Sequence, residues 1–261
     1  MLILIIGVST ALMYSCEKNE FNPDSTNKEE VDTENKTKRT SGCTVFTDAQ
    51  IAQIGANHNT YLSEVFSNFN YQDIDLEAEL NQQFENISMP PSLTAAQKTT
   101  IINTIISWDD IEVDFINPTK VKQYMDDIEA VVLSDDNNNL SEITAQLAIV
   151  ESNASSILTC QDLEAVKLMV SVTKNSVEFW LPTSKGGTGE GNGILIDIGV
   201  PPQYISDKTK HVIAMDGLAA SGAFITWGFS AAFGPVGLAG LGFGVGMATA
   251  FSSGAAAIGM R

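Results

Sequence analysis

The sequence predicts an all-α protein: an amphipathic helical bundle followed by a glycine-rich hydrophobic helical hairpin. Apolar residues recur at three-and-four spacing through the middle of the chain, and the links between these stretches are short and rich in Pro, Asn and Asp. No ladder of alternating strands appears, and the β-branched residues of "TTIINTII" fall at helical positions.

The first element is the clearest. "TDAQIAQIGANHNTYLSEVFSNF" places Ile51, Ile54, His58, Tyr61, Leu62, Val65, Phe66 and Phe69 on one helical face, with Thr47 or Asp48 positioned to cap its start. Further helices are expected from Asp73 to Ser88, from Thr94 to Trp108, from Ser141 to Leu158 and from Cys160 to Trp180. Another runs from Pro118 to Ser134, where Asn117 caps and proline occupies the first helical position. Short links favour antiparallel neighbours in a bundle. "KGGTGEGNG" reads as a hinge, and the alternating "GILIDIGVPP" after it as a short extended segment.

Charge divides the chain. Its 261 residues carry 32 Asp plus Glu against 14 Lys plus Arg, a net charge of -18. Such an excess opposes binding to phosphate backbones, so nucleic acid is not an expected partner. Ser41 to Trp180 holds 21 acidic and 5 basic residues, whereas Leu181 to Arg261 holds 4 of each. No charged side chain occurs from Gly217 to Met260. The expected layout is a signal peptide over 1–15, a tether over 16–42, an acidic bundle over 43–181, a Gly/Pro-containing linker over 182–204 and a glycine-zipper hairpin over 205–261.

"MLILIIGVSTALMYSC" is an apolar run of signal-peptide length, shorter than a spanning helix, that closes on Ser15 before Cys16. It resembles a bacterial lipoprotein signal, and "CEKNE" is similar to the export tag of Bacteroidota surface lipoproteins. The resemblance implies lipidation of Cys16, export, and anchoring in the cell envelope, at the outer membrane. Glu17 to Thr40 is polar and nearly free of apolar residues, so it cannot bury enough surface to offset the entropy of ordering. Extended, this tether reaches on the order of 80 Å at about 3.3 Å per residue. With Cys16 assigned to lipid, Cys43 and Cys160 remain, either bridged or as two independent buried thiols. A bridge would contribute roughly 4 to 5 kcal/mol by loop closure.

The polar clusters carry no recognisable chemistry. "DDNNNLSE" sets Asp135, Asn137 and Asn139 at the spacing of a calcium loop, but Leu140 stands where glycine is required and Gln146 where the final Glu belongs. It reads as a polar turn with a helix cap. "DDIEVD" reads as a solvated acidic linker, and His58 as a half-buried helical histidine far in sequence from His211. No catalytic residue, metal site or cofactor motif is expected, and the chain is not expected to be an enzyme.

The tail is patterned. Gly240, Gly244, Ala248, Ser252 and Ala256 form one row at fourfold spacing, and Gly242, Gly246, Ala250 and Gly254 form another. Gly222, Thr226 and Ser230 make a similar row before a break at Gly234 and Pro235. Small residues at this spacing let helix backbones approach closely within lipid. The expectation is a hairpin with arms from Ile205 to Phe233 and from Val236 to Ile258, each about long enough to cross a bilayer, with Asp216 near its edge. Burial of the same hairpin inside the soluble fold or an oligomer is the opposing expectation.

"IGANHNTYL", "SVEFW" and "IAMDGLAASGAF" together are similar to segments of exported Bacteroidota lipoproteins of unassigned activity, which implies compartment and layout only. The architecture also resembles that of colicin-like pore formers, whose uncharged hairpin is sheltered by amphipathic helices. The expected function is membrane association or self-assembly through the hairpin, with the lipid bilayer and further copies of the chain as partners. The alternative is a bacteriocin-like or pore-forming effector acting on a target membrane.

Overall fold

The computed structural model describes residues 46–72, 75–88, 94–96, 99, 118–134, 139–229 and 237–259. Within them 84% are helical and none form strands, as the all-α expectation requires. Eight α-helices are described: α1 Asp48–Ser67, α2 Leu76–Asn86, α3 Pro118–Leu133, α4 Leu140–Ile157, α5 Cys160–Trp180, α6 Glu190–Asp197, α7 Ile205–Phe229 and α8 Gly237–Gly259. Residues 1–15 and Cys16, Cys43, Asn117, Ser230, Gly234 and Pro235 lie outside the described residues. So do "DDIEVD" and nearly all of the helix expected from Thr94 to Trp108.

Local chemistry sets the helix starts. Thr47 caps α1: its hydroxyl accepts from the Gln50 N–H at 3.3 Å while the Gln50 side chain accepts from the Thr47 N–H at 2.8 Å. Asp75 Oδ1 accepts from the Ala78 N–H at 3.0 Å ahead of α2, and Asn139 Oδ1 from the Glu142 N–H at 3.0 Å ahead of α4. Buried Val121, Tyr124, Ile128 and Val132 make the inner stripe of α3, and Ile143, Leu147, Val150 and Ala154 that of α4.

Helix α5 sits at the centre of one layer, packed against α1, α3, α4, α6 and α7. It buries residues around most of its circumference, from Ala165 to Trp180. Helix α7 then joins this layer to α8, which is covered by α7, α1 and α2. Phe243, Val245, Met247, Ala248, Ala250 and Ala257 of α8 are all buried. Cys43–Arg261 forms one compact unit, so the apolar tail and the acidic body share a core.

Two expectations are corrected. The first half of "GILIDIGVPP", residues 193–197, is helical, because α6 starts within the glycine run. Gly189 adopts φ 81°, which turns the chain into the helix, and Gly191 lies so close to Trp180 that a Cβ there would sit 2.3 Å from the indole. Among the described residues no helix is long and apolar enough to cross a membrane, where two spanning arms were expected. Glycine, threonine and serine dilute the hydropathy of both arms. The row Gly242, Gly246 and Gly254 faces α1 and α2, while α8 also packs along α7. Cβ atoms at these positions would meet Ile54 at 3.4 Å, Tyr61 at 2.9 Å and Leu80 at 2.8 Å respectively. Gly244, Ala248 and Ala250 are buried and Ser252 partly so, while the side-chain surroundings of Gly222, Thr226 and Gly240 fall outside the described part.

Cys160, the first residue of α5, is disulfide-bonded. The partner lies outside the described residues. Phe46 is buried and its N–H donates to Glu164 Oε1 near the start of α5.

The glycine contacts make a paired prediction for chemical denaturation. Gly246→Leu should cost about 1–3 kcal/mol by overpacking against Tyr61. Gly193→Ala, on α6 with nothing within 4 Å of the added carbon, should stabilise by about 0.5–1 kcal/mol. Equal effects of the two would contradict the packing described.

Candidate functional site

The polar chemistry of the core converges on Asp216. This residue, on α7, is fully buried, as are His58 of α1, Ser176 of α5 and Ser253 of α8. Helical periodicity places His58 in the same inward stripe as Ile54, Tyr61 and Leu62, which delivers an imidazole to the centre of the bundle. It is thus fully rather than half buried, and its partner comes from the tail.

Asp216 Oδ2 accepts from Ser176 Oγ at 2.5 Å and from Ser253 Oγ at 2.8 Å. His58 Nε2 stands 3.2 Å from the same oxygen, at ion-pair distance but without the alignment of a good hydrogen bond. A further shell holds these groups. Trp180 Nε1 donates to Ser253 Oγ at 3.0 Å, so that hydroxyl accepts from the indole and donates to the carboxylate.

On the other side of the ring, His58 Nδ1 lies 2.9 Å from Asn59 Oδ1, and the Asn59 amide is oriented by donating from Nδ2 to the Asn175 carbonyl at 2.9 Å. An oxygen therefore faces each of the two ring nitrogens. Asp216 Oδ1 and Thr173 Oγ1 have no hydrogen-bond partner among the described residues, which leaves one edge of the carboxylate polar and unused.

Glycines set the helix spacing around this cluster. A Cβ on Gly217 would stand 2.4 Å from Thr173 Oγ1, so its absence lets α7 close on α5 beside Asp216. Gly55 does the same for α1 on α5, since a Cβ there would meet Ser171 and Asn175 at 2.5–2.8 Å. Nearby, the Tyr61 ring meets Phe243 edge-on at 5.5 Å, and burial followed by the charge of Glu64 pushes the Tyr61 phenol up to about 12.

Ser, His and Asp are the residue types of a hydrolytic triad, but their order differs here. Both serine hydroxyls donate to the carboxylate, and all four side chains are sealed from solvent. The arrangement acts as a clasp among four helices. Among the described residues no group of three or more His, Cys, Asp or Glu could hold a metal ion.

Elsewhere, the Asn139 turn is a helix cap, and Asp135 to Asn138 of the same string lie outside the described residues. His211 is exposed on α7, away from the cluster. No protein-family model matches the chain, and no curated protein or solved structure matches it.

A double-mutant cycle tests the clasp. His58→Leu should cost about 3–5 kcal/mol, because it strands a buried carboxylate. Adding Asp216→Leu should restore part of that loss, giving a coupling energy above roughly 1 kcal/mol. Additive losses in denaturant midpoints would show that the two residues do not act as a pair.

Proposed function

We infer that the protein is a cell-envelope lipoprotein, anchored through Cys16 at the outer membrane, whose glycine-rich C-terminal helices mediate membrane association or self-assembly. The reading rests above all on how α8 is stored. An uncharged helix lies enclosed by α1, α2 and α7, and the one carboxylate that accompanies it, Asp216, is buried in the bundle beside His58, Ser176 and Ser253. Amphipathic helices around an apolar one form a sheath that keeps such a segment from aggregating in water.

In this reading the resting protein is the closed bundle, held near lipid by its acyl anchor and polar tether. Membrane association or assembly requires α8 to leave contacts with Ile54, Tyr61 and Leu80, and it then presents its small-residue rows to lipid or to another copy. The pore-forming alternative draws on the same storage of an apolar helix and differs in consequence, since it requires leakage of a target membrane.

A reversible lock tests the proposal. A Cβ at Gly246 would lie 3.7 Å from that of Asn57, within disulfide range, so Asn57→Cys with Gly246→Cys ties α8 to α1 when oxidised. Purified protein is mixed with dye-loaded phospholipid vesicles, and the wild type is run under the same oxidising and reducing conditions. The expected result is that reduced protein binds vesicles or forms larger assemblies while the locked form does neither. Equal binding and assembly state in locked and reduced forms would overturn the role given to α8. Dye release on unlocking would replace the anchor reading with the effector one, and an unmodified Cys16 by mass spectrometry of membrane-extracted protein would remove the lipid anchor.

A further inference from the structure

A cavity of about 250 Å³ opens between α3, α4, α7 and the turn that follows α5. Its walls are largely apolar, with Val132, Leu181 and Ile213 contributed by three separate elements. Five polar residues complete the lining, Lys185, Asn192, Ser206, Thr209 and Lys210, and none of the described lining residues is acidic. In a chain with more than twice as many acidic as basic residues, two lysines at one apolar cavity without a neighbouring carboxylate in its lining form a local reversal of charge.

The polar groups divide the work. Lys210 Nζ donates to the Ser134 carbonyl at 3.0 Å, beyond the C-terminus of α3, so it is held in place as a fixed positive charge. Lys185 is partly exposed, on a three-residue turn, and its ammonium makes no hydrogen bond or ion pair among the described residues. Thr209 is the more telling group. Its side chain is 2% exposed, yet its hydroxyl has no hydrogen-bond partner among the described residues. A helical threonine ordinarily donates to the carbonyl four residues back, and a buried hydroxyl left unsatisfied is costly.

We propose that this cavity binds a small monocarboxylic acid with an apolar body, its carboxylate held by Lys185 and the Thr209 hydroxyl and its chain lying against Val132, Leu181 and Ile213. The volume equals that of about eight water molecules at roughly 30 Å³ each, which suits an acid of about six to eight carbons. A single uncommitted ammonium matches one negative charge, and the apolar walls suit an anion with a hydrocarbon body. The site is independent of how the protein is anchored.

Sodium octanoate is the probe, titrated calorimetrically into the purified full chain, with octylammonium as the ligand of equal length and opposite charge. Octanoate should bind saturably at one site per chain and raise the melting midpoint, while octylammonium should do neither. Lys185→Gln should weaken octanoate binding roughly tenfold or more, the loss expected for a charge-assisted hydrogen bond. Thr209→Val, which exchanges the hydroxyl for a methyl group of equal size, should also weaken octanoate binding while leaving the unliganded melting midpoint unchanged or higher. No saturable binding, equal binding of the two probes, or octanoate binding untouched by both substitutions would overturn the proposal.

Discussion

The buried carboxylate of Asp216 constrains the rest of this fold. An isolated charge in an apolar interior is costly by several kcal/mol, so the bundle is viable only when its partners arrive together. They come from three other helices: His58 from α1, Ser176 from α5 and Ser253 from α8. Each helix is thereby fixed in rotation and in position along its axis, because a slip of one residue would turn a donor away. Apolar packing alone specifies this less sharply, since neighbouring hydrophobic side chains can exchange places at small cost. Trp180, donating to Ser253, ties the same register to the largest buried side chain of α5.

Steric fit complements that electrostatic constraint. Side chains of α1 and α2 fill the space that Gly242, Gly246 and Gly254 of α8 leave. Glycine lowers intrinsic helix stability by roughly 1 kcal/mol per residue relative to alanine, so a helix this rich in it depends on tertiary contact. The clasp at Asp216 and the close approaches at Gly242, Gly246 and Gly254 supply that contact. Storage and stability of the tail are therefore one arrangement, and a process that releases α8 must also open the cluster around Asp216.

Much of this was legible in the sequence where the signal is local. The three-and-four spacing from Ile51 to Phe66, the Thr47 cap and the span from Cys160 to Trp180 all follow from interactions within a few residues, and the structure reproduces them. "GILIDIGVPP" was not legible, because a short alternation of Ile and Leu suits a strand or a buried helical turn equally. The fit of Gly191 against Trp180, which decides the matter, is a tertiary contact. The small-residue rows do not say what approaches them, since a glycine surface accepts a backbone, a lipid chain or Tyr61 alike. The His58 and Asp216 pair was hidden by its separation along the chain. The available signals were a histidine in an apolar stripe and a lone carboxylate entering an uncharged tail.

Backbone hydrogen exchange in lipid-free solution tests the central claim most directly, with the wild type compared to Asp216→Ala. If the Asp216 cluster holds α8 in the core, wild-type α8 amides exchange as slowly as those of α5. In the variant they exchange at least tenfold faster, while the α3 and α4 amides change little. Rapid exchange of α8 in the wild type, or a uniform acceleration over all helices in the variant, would contradict the account.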